Sequence, residues 1–309
     1  MNAIATRVLS TLFVLWGVCS ITFLLLHLTP GDPVDIMLGE NASVTDKAAF
    51  RHELGLDQSL GRQYGDYFTK LLHGDLGQSF IHHRPVMSEI FDAMPATIEL
   101  AFASLVLAII VSLPLGVFSA SFCGGWFDRA VILYSLIGIS TPSFWLAPSL
   151  IWIFSIKLDW LPVSERAGFT SIILPAISLA FGLSATILRM TRANLLEVLH
   201  ENYIRVAQSK GLGFFSILFK HALKNALTPV ITVLNLQLGA VLTGVVIIET
   251  IFDWPGLGIL LFTALQERNY PLVQGCVVVI AGIYILVNLI TDVAYVLVDP
   301  RLRKSRGIG

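Results

Sequence analysis

Asp, Glu, Lys and Arg are missing from six long stretches of the chain: 9–28, 100–127, 130–156, 167–188, 225–248 and 269–291. Each can cross hydrocarbon about 30 Å thick as a helix rising about 1.5 Å per residue. Loops and sheet edges cannot face lipid with unpaired backbone groups, so the pattern predicts an all-α protein with six membrane-spanning helices. Thr29-Pro30-Gly31-Asp32-Pro33 ends the first run as a helix-stopping turn. Only Arg7 precedes that run and no small-x-small cleavage site follows it, so it is expected to remain as a first span rather than leave as a secretory leader.

One polar segment stands out between the fourth and fifth runs, the island Arg189–Pro229. Leu195, Leu199, Tyr203 and Val206 recur there at helical spacing, with Arg192, Glu197, Arg205 and Gln208 on other faces. Gly211 and Gly213 then stop the helix, and Phe214, Ile217, Leu218 and Ala222 begin a second stripe. The segment therefore reads as two short amphipathic helices around a Gly turn, with Gly211 expected in a left-handed conformation. A basic hairpin lying on anionic headgroups is one reading. Docking to another protein is the other, favoured by the defined turn and by small Ala207 and Ser209, which would allow close approach.

Composition agrees with the pattern. Hydrophobic residues make up 55% of the 309 and charged residues 13%, and the mean hydropathy of +0.77 excludes an ordinary soluble domain. The net charge of −1 hides an asymmetry. With the N-terminus inside, the inner segments hold Arg7, Arg129, the island's Arg189, Arg192, Arg205, Lys210, Lys220 and Lys224, and the tail's Arg301, Arg303, Lys304 and Arg306. The outer segments hold fewer basic residues over a greater length, so both termini are expected in the cytosol. Cys19, Cys123 and Cys276 lie in or beside different spans without CxxC spacing, which suggests small apolar fillers.

The chain divides into an inner N-terminus with span one (1–28), an outer segment (29–97), a core of spans two to six (98–298) containing the loop 189–228, and a tail (299–309). The outer segment is acidic, has helical patterns between Thr45 and Leu72, and is expected to cap the outer ends of the spans. Ser140-Thr141-Pro142-Ser143-Phe144-Trp145 places hydroxyls at a proline kink inside span three. Freed carbonyls at membrane depth are tolerated in protein or beside water, so Ser140, Thr141, Pro142 and Phe144 are candidates to line a path.

Catalytic patterns fail one by one. Lys210-Gly211 lacks the preceding glycine of a phosphate loop, His52-Glu53 has no second histidine, and Ser140 sits in GISTP rather than GxSxG. His82-His83 reads as a solvated pair without a matched carboxylate, and no metal site is expected. Glu99 and Glu249 read as water-reached anchors at outer ends. Asp292, beside Asn288 in span six, is an intramembrane acid for which packing and function weigh equally. It keeps an ion-gradient-driven secondary transporter open as an alternative class.

Arg205-Val206-Ala207-Gln208-Ser209-Lys210-Gly211-Leu212 resembles the EAA loop of bacterial ABC-importer permeases, in its dipeptide/oligopeptide/nickel form. Thr29–Pro33, Leu54-Gly55-Leu56-Asp57-Gln58, Gly74-Asp75-Leu76-Gly77, Pro95–Leu100, Phe252–Gly258, Asn269-Tyr270-Pro271 and Asp299-Pro300-Arg301 resemble that group's other signatures, in order, over nearly the whole chain. The long first outer loop resembles the B-type subunit. Arg205 stands where the general EAA loop has Glu, and Pro229 comes later than in the general form.

The resemblance implies a type I importer permease in a bacterial inner membrane, translocating di- or oligopeptides, with nickel-chelate or glutathione import as alternatives. It implies ATPase docking by Arg205 to Leu212 and an extracytoplasmic loop or gate at Trp254, Pro255 and Gly256. The implied partners are a second, C-type permease, two cytosolic ATPase subunits that bind ATP and Mg, an extracytoplasmic substrate-binding protein and membrane lipid, with no nucleic acid. No cofactor is implied for this chain itself.

Overall fold

The computed structural model describes residues 3–28, 31–39, 42–164, 166 and 168–298, and among these the chain is helical throughout apart from turns and one isolated bridge. The helices are α1 (Ala3–Leu28), α2 (Pro33–Leu38), α3 (Val44–Glu53), α4 (Leu60–Leu72), α5 (Val86–Ser121), α6 (Trp126–Ser140) and α7 (Ser143–Leu150). They continue as α8 (Ile173–Leu199), α9 (Asn202–Ser209), α10 (Phe214–Ser216), α11 (Leu223–Phe252), α12 (Leu257–Gln266) and α13 (Tyr270–Val298). The tail motif Asp299-Pro300-Arg301 lies outside the described residues.

Among the described residues four helices are by themselves long and apolar enough to cross a membrane, and the number rises to six when each of two bent pairs is taken as one span. The third expected span is one of those pairs: α6 and α7 meet at 104°. Pro142 supplies the cause. A residue before proline is driven out of the helical region, and Thr141 is extended at φ −93°, ψ 113°. Its amide and its hydroxyl both donate to the Ile137 carbonyl, at 2.9 Å and 2.7 Å, and close the last turn of α6 at the break. Pro148 removes a second donor inside α7, and the chain then widens into a π-helical stretch, Ile151–Lys157.

The chain divides into two compact units, residues 1–96 with 255–286, and residues 97–254 with 287–309. In the first, Leu26, Val86, Ile90, Leu257, Ala264, Tyr270, Leu272, Val273 and Cys276 form the core. Close approach is built in at Gly275, where an added Cβ would lie 2.4 Å from a Val86 methyl. Asn269, fully buried, donates to Ser79 Oγ at 2.7 Å and accepts from the Phe80 amide at 3.1 Å.

The described residues between 31 and 72, expected from the sequence to lie outside, form the short helices α2, α3 and α4 in this unit. Asp32 and Ser43 cap α2 and α3 through the amides of Val34 and Asp46. Helix α4 lies on α1: Tyr64 OH meets Ser20 Oγ at 2.8 Å, Gln63 meets His27 at 2.9 Å, and Phe23 contacts the rings of Tyr64 and Tyr67. A cavity of about 300 Å³ remains between α1, α4, the Leu54–Gln58 turn and the head of α13.

In the second unit α8 is the central helix, with α6, α7 and α11 packed on it. Small residues let these helices meet closely. A Cβ on Gly138 of α6 would sit 2.5 Å from the Ala185 Cβ, and on α5, which also meets α8, one on Gly116 would sit 2.8 Å from the Thr191 Cβ. Tyr134 bonds Ser184 across the α6–α8 contact at 2.7 Å. Glu249 corrects the solvated-anchor expectation: it is fully buried and accepts from Thr97 Oγ1 at 2.6 Å. Glu99, by contrast, is half-exposed and pairs with Arg166.

Candidate functional site: the polar hairpin

The segment after α8 folds as a tight hairpin. His200 closes α8, Glu201 is extended at φ −67°, ψ 148°, and α9 begins a new helix one residue later. That extended residue breaks the helical phase. The expected stripe of Leu195, Leu199, Tyr203 and Val206 is therefore not continuous. Leu195 is buried on α8, but on α9 the buried side chains are Ile204 (0% exposed) and Ala207 (8%), whereas Tyr203 and Val206 (54%) face outward.

Gly211 has φ +76°, the left-handed turn expected of it. The turn is closed by Gly211 N–H donating to Gln208 O at 2.9 Å and Leu212 N–H to Ala207 O at 3.3 Å. Gly213 is extended and starts α10, which runs through a π-helical stretch, Ile217–Ala222, into α11. The second short helix of the sequence reading is thus the leading end of the next span.

The hairpin has two faces. Inward, Ile204 and Ala207 pack with Val117 and Ala120 of α5, Leu195 of α8, and Ile217, Leu218, Ala222 and Ala226. Outward, Tyr203, Val206, Leu212, Phe214, Phe215 and Phe219 expose an apolar ridge, with Arg205, Gln208, Ser209, Lys210, Lys220 and Lys224 exposed around it. Asn225 Nδ2 donates to Tyr203 OH at 2.8 Å and ties the ridge to the base of α11. Ala207 therefore belongs to the protein's own core, a correction to its reading as an outward small residue. The ridge was partly visible in the sequence as Phe214-Phe215 before a basic stripe, but its assignment needed the phase break.

Arg192 leaves the basic face altogether. It makes a two-pronged ion pair with Asp128, Nε to Oδ1 at 2.6 Å and Nη2 to Oδ2 at 2.9 Å. Asp128 is 2% exposed and also accepts from Ser119 Oγ at 2.5 Å and from the Gly124 amide at 2.8 Å. Sequence reasoning missed this partner. The only signal was an acid in the first turn of a helix beside a Gly-Gly turn.

The other candidates are placed as follows. Ser140, Thr141, Pro142 and Phe144 share the α6–α7 bend, with Ser140 and Phe144 exposed. Asn288 is half-buried on α13, and the side chain of Asp292 lies outside the described residues. Trp254 is 1% exposed and its amide donates to Glu249 O at 2.9 Å, after Asp253 turns left-handed at φ +49°. Pro255 is exposed and Gly256 buried. His82 does have a carboxylate, Glu89 Oε2 at 3.0 Å, because α5 begins at Val86 and carries Glu89 back to it. Among the described residues no group of three His, Cys, Asp or Glu side chains is close enough to hold a metal ion.

Apolar helices of membrane-crossing length, packed through small residues and bearing a structured polar hairpin, define a multi-span α-helical membrane protein. Residues 112–304 match the family described as the binding-protein-dependent transport system inner membrane component, and residues 1–101 match the N-terminal region of such components. The chain belongs to this family.

Similar proteins include a dipeptide transport system permease of Alkalihalophilus pseudofirmus, 39% identical over 96% of this chain and 98% of that one. A di/tripeptide transport system permease of Pseudomonas aeruginosa is 41% identical over 99% and 100%. A glutathione transport system permease of Escherichia coli is 36% identical over 98% and 99%. Among solved structures, the inward-facing MetNI methionine ABC transporter matches with TM-score 0.56 at 18% identity, over 69% of this chain and 97% of that one. An amino acid ABC transporter solved with histidines matches with TM-score 0.51 at 15% identity, over 70% and 94%. These two support the type I importer-permease fold.

Proposed function

We propose that this chain is one of two similar permease subunits of an ATP-binding-cassette importer of di- and oligopeptides, and that its hairpin docks a cytosolic ATPase subunit. The observation that carries the reading is the two-faced hairpin. Its inner side chains are fused to the ends of α5 and α8, while an apolar ridge ringed by Arg205, Lys210, Lys220 and Lys224 is left exposed. A ridge of large apolar side chains with a basic rim suits insertion into a groove on another protein. Val206, Gln208, Ser209, Lys210, Gly211 and Leu212 contribute the exposed part of the EAA-like segment.

The basic asymmetry supports an inner position for the hairpin and for both termini. The partner ATPases bind and hydrolyse ATP with Mg, this chain supplies no catalytic group, and a binding protein delivers substrate to the outer side. Ser140, Thr141, Pro142 and Phe144 at the α6–α7 bend, with Asn288 and Asp292, are proposed to line the path, and Trp254, Pro255 and Gly256 to form an outer gate. Relatives named for dipeptide and di/tripeptide transport support a peptide substrate. The glutathione relative makes a γ-linked tripeptide the second reading. Family membership favours ATP over an ion gradient through Asp292 as the source of energy.

Reconstitution of the chain with its second permease, ATPases and binding protein in liposomes tests this. Uptake of labelled dipeptide should require internal ATP and survive an ionophore. Uptake that persists without ATP and collapses with the ionophore sinks the proposal, and preference for glutathione over dipeptides moves it to the second reading.

A further inference from the structure

The hairpin's inner face and the Asp128–Arg192 ion pair join the same elements. Ile204 and Ala207 rest on Val117 and Ala120 of α5 and on Leu195 of α8. Ser119, between those α5 residues, donates to Asp128, and Arg192, one turn before Leu195, completes the pair. The Gly124 amide donates to the same carboxylate, so the α5–α6 turn is held from α5, from α8 and from its own backbone. Three residues before Ser119, Gly116 meets Thr191 with no room for even a Cβ. The α5–α8 contact is therefore tight at Gly116, and the turn is tied down at the ion pair.

We propose that Asp128 and Arg192 are positioning residues that clamp the α5–α6 turn to the docking hairpin, so that a push on α9 displaces the ends of α5, α6 and α8 as one rigid body. The proposal rests on the docking reading above. Coupling between distant sites needs an element with discrete arrangements rather than one that yields gradually. A two-pronged Arg–carboxylate pair on a buried acid provides that stiffness: it is geometrically specific, partly shielded from salt, and costly to open because Asp128 would be left buried without its cation. The clamp explains why the island spends one of its basic residues inside the fold.

The test uses the whole reconstituted complex and reads three quantities: ATPase co-purification, ATP turnover stimulated by the binding protein, and uptake per ATP. Asp128→Asn and Arg192→Lys (a point charge that cannot form the fork) should keep co-purification and turnover while uptake per ATP falls on the order of tenfold, within the range of ordinary coupling effects. Ser119→Ala, losing one hydrogen bond, should shift the ratio the same way by less, and decides the matter if Asp128→Asn does not insert. Arg166→Gln, which breaks the exposed pair with Glu99, should leave the ratio alone.

Unchanged uptake per ATP in an assembled clamp variant overturns the proposal. So does a fall of assembly, turnover and uptake in parallel, which would make the pair a fold-holding contact only. Failure of the docking reading looks different: in the wild-type complex, residues 202–216 would gain no hydrogen-exchange protection from the ATPases.

Discussion

At Gly211 the backbone has φ +76°, a conformation that costs an L-residue on the order of 1–2 kcal/mol. Nothing in this chain crowds its Cβ position, so within the subunit Gly211→Val acts through backbone strain. The expected outcome is normal membrane insertion with loss of substrate-stimulated ATP turnover, read on the reconstituted complex. Gly138 fails for the opposite reason. Its φ is ordinary but a Cβ would meet Ala185 at 2.5 Å, so Gly138→Val should lower stability by about 1–3 kcal/mol, visible as a lower melting temperature in detergent.

His52 and Asp57 illustrate a pH effect outside the spans. Their hydrogen bond, 2.6 Å long, raises the histidine above its ordinary 6.5 and lowers the carboxyl below its ordinary 3.8. The histidine's contribution is full below 6.5 and is lost as pH rises through the raised value. The carboxylate's is full above 3.8 and is lost as pH falls through the lowered value. Hydrogen exchange in the Leu54–Gln58 turn, corrected for intrinsic rates, should therefore be slowest between the two and faster at either extreme. Both side chains are solvent-accessible, so the change will be small.

Among the elements, α9 shows how much one extended residue decides. Helical spacing made Tyr203 and Val206 continue the stripe of Leu195 and Leu199, and nothing in the composition marks Glu201 as the place where the phase resets. The two faces now predict different failures. Val206→Arg should insert and fold normally but lose ATPase co-purification. Ala207→Arg should instead reduce expression and thermal stability, because it drives a charge among Ile204, Ile217 and Leu218, a cost of several kcal/mol. The α6–α7 bend was half legible. Pro142 announced a kink, but its size and the π-helical widening after Pro148 depend on how the freed backbone groups find new partners.

For the whole molecule, energy and path are proposed to lie on different chains, so the isolated subunit in detergent should show no ATP turnover above background. The complex should show turnover that rises when the binding protein is added. Turnover by the isolated chain would refute that division of labour.

What the sequence determined by itself was the number and place of the apolar runs and the position of the hairpin. Lipid imposes these through length and charge, and both can be counted along the chain. The ordered motifs pointed to the family in the same one-dimensional way. Tertiary structure decided which side chains the hairpin shows and which it buries, the partner of Arg192, and the burial of Glu249. Those outcomes depend on contacts between residues tens of positions or more apart, Asp128 with Arg192 and Thr97 with Glu249, and on a change of helical phase at one residue. Periodicity is local, whereas the choice of face is made by the neighbours that a helix meets.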